Sequence, residues 1–277
     1  MNQPPRAKLY IEGRYKKLTR DLPQTVFFCP DCKGHQRRRK NCDRCEGFGK
    51  LTRDSVQELV GWVAGPLFKT RKNKFHGAGR EDIDVRMLGR GRPFILELVD
   101  PKVFDVDLAE LEAEVNKRNE DRLQIEGLHW SEKARVRVLK ESPHAKEYEA
   151  RVHVEGEPDS AKIQELLDER IQVVQRTPSR VAHRRADKER QRWIELLAME
   201  PCPEAGEGLW TVRLRTEHGT YVKEVLSGDS GNTEPSLGEL LGVQCRCEEL
   251  DVLAILDPEG EPDAELEHEP PRFGAGL

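Results

Sequence analysis

The sequence predicts an α+β fold. Stretches with strand character and stretches with helix character come in mixed runs, not in the strict strand–helix–strand alternation of parallel α/β proteins. The first kind alternates polar and apolar residues with period two, as half-buried strands do. The second kind repeats apolar residues three and four apart, as amphipathic helices do. The 277 residues suffice for one large domain or two modest ones. Charged residues make up 35% and hydrophobic residues 36%, with the signs interspersed and the apolar residues clustered, which is the composition of a folded chain.

Taken in order, residues 1–28 are basic and partly extended, and they end in the apolar run Val26, Phe27, Phe28. Residues 29–49 form a cysteine module. Ser55 opens SVQE, a capping-box pattern, ahead of Val56, Leu59, Val60 and Val63 at helical spacing. Pro66 bends or ends that helix. Residues 69–80 are basic and rich in turn formers. From Arg80 to Met87 charged and apolar residues alternate, which predicts a strand with Asp82, Asp84 and Arg86 on one face and Ile83, Val85 and Met87 on the other. Phe94 to Val99 forms a second strand. Leu108, Leu111 and Val115 mark a helix over residues 107–119. KARVRVLK (133–140) and YEARVHV (148–154) read as paired strands, and residues 160–171 as a helix capped by Asp159 or Ser160. Residues 209–216 and 248–255 are strand-like. Residues 257–277 hold seven acids, one Arg and four Pro without periodicity, which predicts a disordered tail. The expected organisation is a basic N-terminal segment with the cysteine module (1–53), a main domain (54–256) and the tail.

The net charge of −5 conceals an asymmetry. Residues 1–95 carry 22 Lys and Arg against 10 Asp and Glu, and residues 96–277 carry 24 against 41. A polyanion binds a local patch, so the basic front third points to a nucleic-acid partner. No stretch approaches the roughly 20 apolar residues of a spanning helix, and MNQPPRAKLY lacks the apolar core of a secretory signal. These features exclude a membrane role and predict a cytoplasmic protein.

Four of the seven cysteines form one tight group, CPDC, nine residues, CDRC. Two such knuckles bring four thiolates, from Cys29, Cys32, Cys42 and Cys45, to one cation, the pattern of a closed structural zinc site. A redox pair would need only one of the two. Gly34 and Gly47 follow each knuckle by two residues and let the chain turn around the metal. Between the knuckles, Lys33, Arg37, Arg38, Arg39 and Lys40 form a grip for a phosphate backbone. The same CxxCxG pattern occurs, usually four times, in chaperone zinc domains of the DnaJ type, so the module alone does not fix function. The glycines of HGAGREDIDVRMLGRG, residues 76–91, fit neither a P-loop nor a dinucleotide fingerprint.

Together the motifs carry a family resemblance. GREDIDV, Gly79 to Val85, resembles the catalytic segment of pseudouridine synthases, whose consensus is close to GRxD with a following Val. GTYVKE, Gly219 to Glu224, is similar to the GTYI(R/K) motif of TruB-type synthases, and their later DxG and LG correspond to Asp229, Gly231, Leu241 and Gly242. KEYEARVHVEG, Lys146 to Gly156, resembles the segment that supplies the active-site tyrosine. GRYKKLTRDLPQT, GREDIDVRMLGRGRPFILEL and RTPSRVAHRRAD are similar to one family in particular, the archaeal and eukaryotic tRNA pseudouridine-54/55 synthases. The resemblance covers residues 10–256 with its motifs in the family's order.

The resemblance implies a pseudouridine synthase fold, with a central mixed or antiparallel sheet flanked by helices and a small N-terminal zinc module. It implies a uridine-to-pseudouridine isomerase acting on the T-loop of tRNA at position 54, 55 or both. The reaction breaks a C–N glycosidic bond and remakes it as C–C, so zinc is expected in a structural role and no catalytic cofactor is required. The resemblance assigns the essential carboxylate, nucleophile or base, to Asp82, with Asp84 as the internal rival. Arg80 fills the space of the flipped nucleotide and contacts phosphate. Tyr148 stacks on the uracil, Tyr221 packs or braces the aspartate, and Lys223 supplies a cation that keeps the aspartate ionised. The basic clusters at 33–44, 69–80 and 176–192, with Lys33, Arg37, Arg38, Arg39, Lys40, Arg184 and Arg185 foremost, track RNA phosphates. The expected partner is tRNA, not DNA, and the expected state a monomer. Family members usually carry an N-terminal THUMP domain that helps hold tRNA. This sequence starts almost at the catalytic part, so either another surface, with the zinc loop the obvious candidate, is expected to take over docking, or the substrate is different. A reading from another class is a non-catalytic RNA-binding zinc protein with a synthase-like domain, and retention of both Asp82 and Tyr148 favours the enzyme.

Overall fold

A computed structural model describes residues 7–182 and 186–256. The α+β class holds, and the chain divides into two compact units, one up to Ser142 and one from Pro143. The predicted tail at 257–277 and the pair Arg184 and Arg185 lie outside the described residues.

The first unit contains strands β1 (Lys8–Lys17), β2 (Lys72–Gly77), β3 (Arg86–Val99) and β4 (Leu123–Ser131). Its helices are α1 (Gln36–Arg39), α2 (Val56–Leu67), α3 (Leu108–Arg118) and α4 (Lys133–Glu141). β1 runs between β4 and β3, β2 also pairs with β3, and all these pairings are antiparallel. The core gathers Leu9, Ile11, Phe94, Leu96, Leu98, Leu123 and Ile125 from the sheet with Leu59, Val60, Val63, Leu111 and Val115 from α2 and α3. Helix α2 begins where the sequence predicts, because the Ser55 hydroxyl accepts the Glu58 N–H at 3.2 Å and satisfies a first-turn donor. It ends one residue beyond Pro66. β1 and β3 change register between Tyr15, opposite Arg92, and Lys17, opposite Met87. Gly91 makes that irregularity possible: its φ is +73°, and a Cβ there would stand 2.7 Å from the Tyr15 carbonyl oxygen.

The second unit contains β5 (Lys146–Glu155), β6 (Arg170–Gln175), β7 (Arg190–Pro201), β8 (Leu209–Thr216), β9 (Thr233–Glu234) and β10 (Gln244–Ile255). They lie in the order β10-β5-β8-β7-β6-β9 with antiparallel neighbours. Helices α5 (Ser160–Leu166), α6 (Val222–Ser227) and α7 (Leu237–Leu241) complete it. Ala150, Val152, Val154, Val212, Leu214, Val225, Leu226, Leu237, Leu241 and Val252 are among its buried apolar residues.

Four local expectations need correction. KARVRVLK is helix α4, not a strand. Its alternation is real, but Val136 and Leu139, three apart, pack on Tyr10, Ala78 and Ile95, while Arg135 reaches Glu12 at 2.9 Å and Arg137 pairs with Glu141. Residues 80–85 are a loop; the strand starts at Arg86. In this loop Glu81 is drawn inside, and the chain turns where the Val85 N–H bonds back to the Asp82 carbonyl at 3.2 Å. Residues 72–77 form β2 within the stretch that reads as turn-rich. Helix α5, capped by Asp159, stops at Leu166, because Leu167 turns extended to bridge Leu196 and Asp168 takes a φ of +59° before β6.

Candidate functional site

Residues 78–85, the loop that carries GREDIDV, are held through their backbone. Lys17, at the end of β1, is fully buried and donates to the carbonyls of Asp82 at 3.0 Å and Ile83 at 3.1 Å. Gln24 donates to the Gly79 carbonyl at 3.0 Å, Arg92 to that of Ala78 at 2.6 Å, and Arg20 to that of Asp84 at 3.2 Å. Five loop carbonyls are thus satisfied by side chains where a strand would have used backbone partners.

Beneath the loop lies a buried polar cluster. The Glu81 carboxylate accepts from Arg92 Nε at 2.8 Å and from the Tyr15 hydroxyl at 2.9 Å, and the same hydroxyl accepts from Gln24 at 2.8 Å. The side chains of Arg92 and Glu81 are each 1% exposed. Burial, reinforced by the Glu81 charge, pushes the Tyr15 hydroxyl well above its usual pKa, so it stays protonated and donates. Burial also pulls Lys17 down to about 8, with the acids of this loop working against the fall. The neighbouring acid follows the opposite rule. Burial opposes the charge of Glu97, but donors from Lys8, His76 and Lys74 outweigh it and bring its pKa to about 2.

On this platform Arg80 is exposed, Asp82 half-buried and Asp84 exposed. The two aspartates belong to one turn and do not share a strand face, so their difference lies in depth. The loop can present a fixed, partly desolvated carboxylate, the property a nucleophile or base at a sugar carbon requires.

Tyr148, Tyr221 and Lys223 stand in the second unit. Tyr148 is on β5, half-buried, opposite Val252 on β10 and Leu214 on β8. Tyr221 is the N-cap of α6 and Lys223 lies in its first turn, half-buried. The GTYVKE backbone is held by the buried Gln175, which accepts the Tyr221 N–H at 2.9 Å and donates to its carbonyl at 3.1 Å. Arg190 lies 5.7 Å from the Tyr221 ring centre. The DxG aspartate has a visible structural task. Asp229 accepts the Ser179 N–H at 3.0 Å and the Asn232 amide at 3.2 Å, tying RTPSR to the loop after α6. Arg180 of RTPSR donates to the buried Glu224 of GTYVKE at 2.6 Å.

The four cysteines converge. Their Sγ atoms all lie within 4.8 Å of one another, with Cys29–Cys42 and Cys32–Cys45 at 3.7 Å. A tetrahedron with metal–sulfur distances of about 2.3 Å has edges of about 3.8 Å, so this donor set fits zinc. The two knuckles repeat each other: Lys33 and Gly34 have φ of +52° and +69°, Glu46 and Gly47 of +49° and +82°. The Gly49 N–H donates to Cys45 Sγ at 3.1 Å, as second-sphere donors to thiolates do. Lys33, Arg37, Arg38, Arg39 and Lys40 are all exposed on the loop between.

Tyr15, Lys17, Gln24, Glu81 and Arg92 escape sequence reasoning. Lys17 and Arg92 sit in basic runs that look solvated, and Glu81 sits in an apparent strand. A weak signal exists in the pairing of GRYKK with GRGRPF, both glycine-flanked cation runs next to apolar strands.

The family model described as "Pus10, C-terminal" matches residues 10–256. A protein of Methanopyrus kandleri named "tRNA pseudouridine synthase Pus10" is 43% identical over 91% of this chain and 57% of its own. One of the same name from Methanothrix thermoacetophila is 41% identical over 93% and 55%. The chain thus spans little more than half the length of these curated relatives. Among solved structures, a chain of a Cbf5–Nop10–Gar1 complex superposes with a TM-score of 0.39 at 21% identity, covering 71% of this chain and 44% of that one.

Proposed function

The chain belongs to the Pus10 C-terminal family, and on that premise we propose that it converts uridine to pseudouridine in the T-loop of tRNA, at position 54, 55 or both. The observation that carries the proposal is the GREDIDV loop, with Asp82 half-buried on a backbone locked by Lys17, Gln24, Arg92 and Arg20.

In the proposed reaction the target nucleotide leaves its stack and Arg80 occupies its place. The Asp82 carboxylate acts at the ribose, as nucleophile at C1′ or as base, and the C1′–N1 bond breaks. The detached uracil turns, C5 bonds to C1′, the C5 proton is removed and N1 gains a proton, so no atom is gained or lost. Tyr148 stacks on the uracil, and its hydroxyl assists removal of the C5 proton. Tyr221 braces the aspartate and Lys223 keeps it ionised. Fixed loop geometry matters more here than strong binding, because a carboxylate held in place does not reorganise during the reaction.

Cys29, Cys32, Cys42 and Cys45 hold one structural zinc in this proposal, which pins the loop bearing Lys33, Arg37, Arg38, Arg39 and Lys40 against RNA phosphates. No helix among the described residues is long and apolar enough to cross a membrane, and the proposed setting is a monomer acting on tRNA in the cytoplasm.

The test is incubation of the purified chain with unmodified tRNA transcript, followed by mapping of pseudouridine. Product at position 54 or 55 supports the proposal. Tight tRNA binding with no product at any uridine would instead leave a non-catalytic RNA-binding zinc protein.

A further inference from the structure

A second surface of the first unit has no part in that chemistry. A groove of about 1260 Å³ opens between α2, the following turn and the start of β2. Pockets for drug-sized ligands run to roughly 300–1,000 Å³, so this one has room for more than a small metabolite. Its floor is shaped by close approach of α2 to β2. A Cβ on Gly61 would stand 2.5 Å from the Asn73 amide nitrogen, and one on Gly65 would stand 3.1 Å from the Thr70 carbonyl.

The lining is strongly cationic: Lys8, Lys69, Arg71, Lys72 and Lys74. Glu58, the acid among the lining residues, is engaged by Lys50 at 2.6 Å. Glu97 draws on Lys8 and Lys74, at 2.7 and 3.2 Å. Lys69, Arg71 and Lys72 make no side-chain ion pair among the described residues and stand exposed. Beside them Trp62 projects from α2 with 52% of its surface exposed, an unusual state for an indole in a charged groove. Uncompensated cations next to a bare aromatic plane are the two components of a single-strand nucleic-acid site: the cations follow phosphates and the ring stacks on a base. An acidic protein would use the cations but has no need of the ring. The groove lies at the Lys72 end of β2, and the GREDIDV loop follows its Gly77 end, about 17 Å away along the strand.

We propose that this groove holds a strand of the substrate RNA away from the target uridine, with an unpaired base stacked on Trp62 and phosphates on Lys69, Arg71 and Lys72. The choice of RNA rests on the synthase reading; the groove's composition does not.

The experiment compares the full chain with Trp62→Ala, Trp62→Phe and the triple variant Lys69→Ala, Arg71→Ala, Lys72→Ala. All these side chains are exposed, so the fold should be retained, and circular dichroism checks this. The probes are unmodified tRNA transcript, an oligouridylate and inorganic polyphosphate. For tRNA, the triple variant should lose about two units or more of log–log salt slope, since each phosphate contact contributes roughly 0.7 to 0.9. Trp62→Ala should weaken tRNA and oligouridylate binding about 5- to 150-fold, the range for loss of one base stack, and leave polyphosphate binding unchanged. Trp62→Phe should keep the affinity but lose the RNA-induced quenching of indole fluorescence. The rate at saturating tRNA should be the same in all variants. If Trp62→Ala binds both RNAs like the wild type, the stacking proposal is overturned, even where the triple variant is weakened, as it would be on a surface for an acidic protein. If RNA binding depends on Trp62 and these cations but the wild type makes no pseudouridine, the synthase reading fails and the groove stands. Wild-type turnover with equal binding by every variant would remove the groove alone.

Discussion

Arg92→Met should unlock the candidate catalytic loop from below. In the native chain the Arg92 guanidinium, 1% exposed, neutralises Glu81 at 2.8 Å and holds the Ala78 carbonyl at 2.6 Å. Methionine fills similar volume without the charge, so the loss is electrostatic rather than a cavity. Removing one partner of a buried pair costs about 3–5 kcal/mol, because the remaining charge is left without compensation. The orphaned Ala78 carbonyl adds to this, though not additively. Against a typical total of about 5–15 kcal/mol, such a loss is large. The double variant Glu81→Gln, Arg92→Met removes both charges of the pair, and its amide can still accept from the Tyr15 hydroxyl. It should therefore be more stable than Arg92→Met alone, with a coupling energy of about 1–3 kcal/mol. Urea unfolding of wild type, both single variants and the double variant gives the cycle. Pseudouridine formation measured on the same samples should fall in Arg92→Met below what its folded fraction explains. An Arg92→Met protein within about 1 kcal/mol of wild type, or strict additivity, would refute the claim that this pair supports the loop.

Other consequences are equally direct. The cysteine cluster should yield one zinc per chain, with Zn–S distances of about 2.3 Å by X-ray absorption; Cys32→Ser should lose the metal and weaken tRNA binding more than it slows the chemical step. Changing Arg37, Arg38 and Arg39 together to Ala should lower affinity for RNA of any sequence and cut the log–log salt slope by about two to three units; an unchanged slope would mean that the loop does not face RNA. Lys17 releases its proton near pH 8 in the folded chain, against its ordinary value of 10.5. The unfolded chain therefore binds more protons across that window, and this group makes stability rise with pH from about 8 to 10.5, by roughly 3 kcal/mol in all. Lys17→Met should abolish that rise in urea unfolding curves, most clearly below pH 10, before ionisation of Tyr15 in the unfolded chain opposes it.

The parts of this molecule legible in its sequence are those that local chemistry decides. The cysteine knuckles need only spacing and glycines, and their sulfurs do converge. The helix bearing Leu108, Leu111 and Val115 has both an apolar stripe and its Asp107 cap, and strand 209–216 is recovered to the residue. The failures come where tertiary contacts override a weak local pattern. KARVRVLK alternates, but a helix buries Leu139 and gives Arg135 a partner in Glu12, 123 residues away in sequence. The alternation at 80–87 is not realised as a strand: Glu81, a charge in register with Ile83, Val85 and Met87, is the buried anchor of a loop that turns back from Asp82 to Val85. Asp82 is nominated by motif, but the machinery that holds it, Lys17, Gln24 and Arg92, comes from segments 10 to 65 residues away, and no local period marks such donors.

The central claim is that the Asp82 carboxylate does the chemistry on this loop. The most direct measurement is tritium release from C5-labelled uridine in tRNA, with wild type, Asp82→Asn and Asp84→Asn assayed side by side, and tRNA affinity measured for each. Asp82→Asn keeps the shape of the side chain and leaves the Lys17 bond to the backbone carbonyl intact, so only charge and nucleophilicity go. The account predicts no detectable release from Asp82→Asn with tRNA binding preserved, because affinity comes mainly from phosphate contacts elsewhere, and measurable release from Asp84→Asn. Near-wild-type release from Asp82→Asn, whether or not Asp84→Asn is dead, would contradict it.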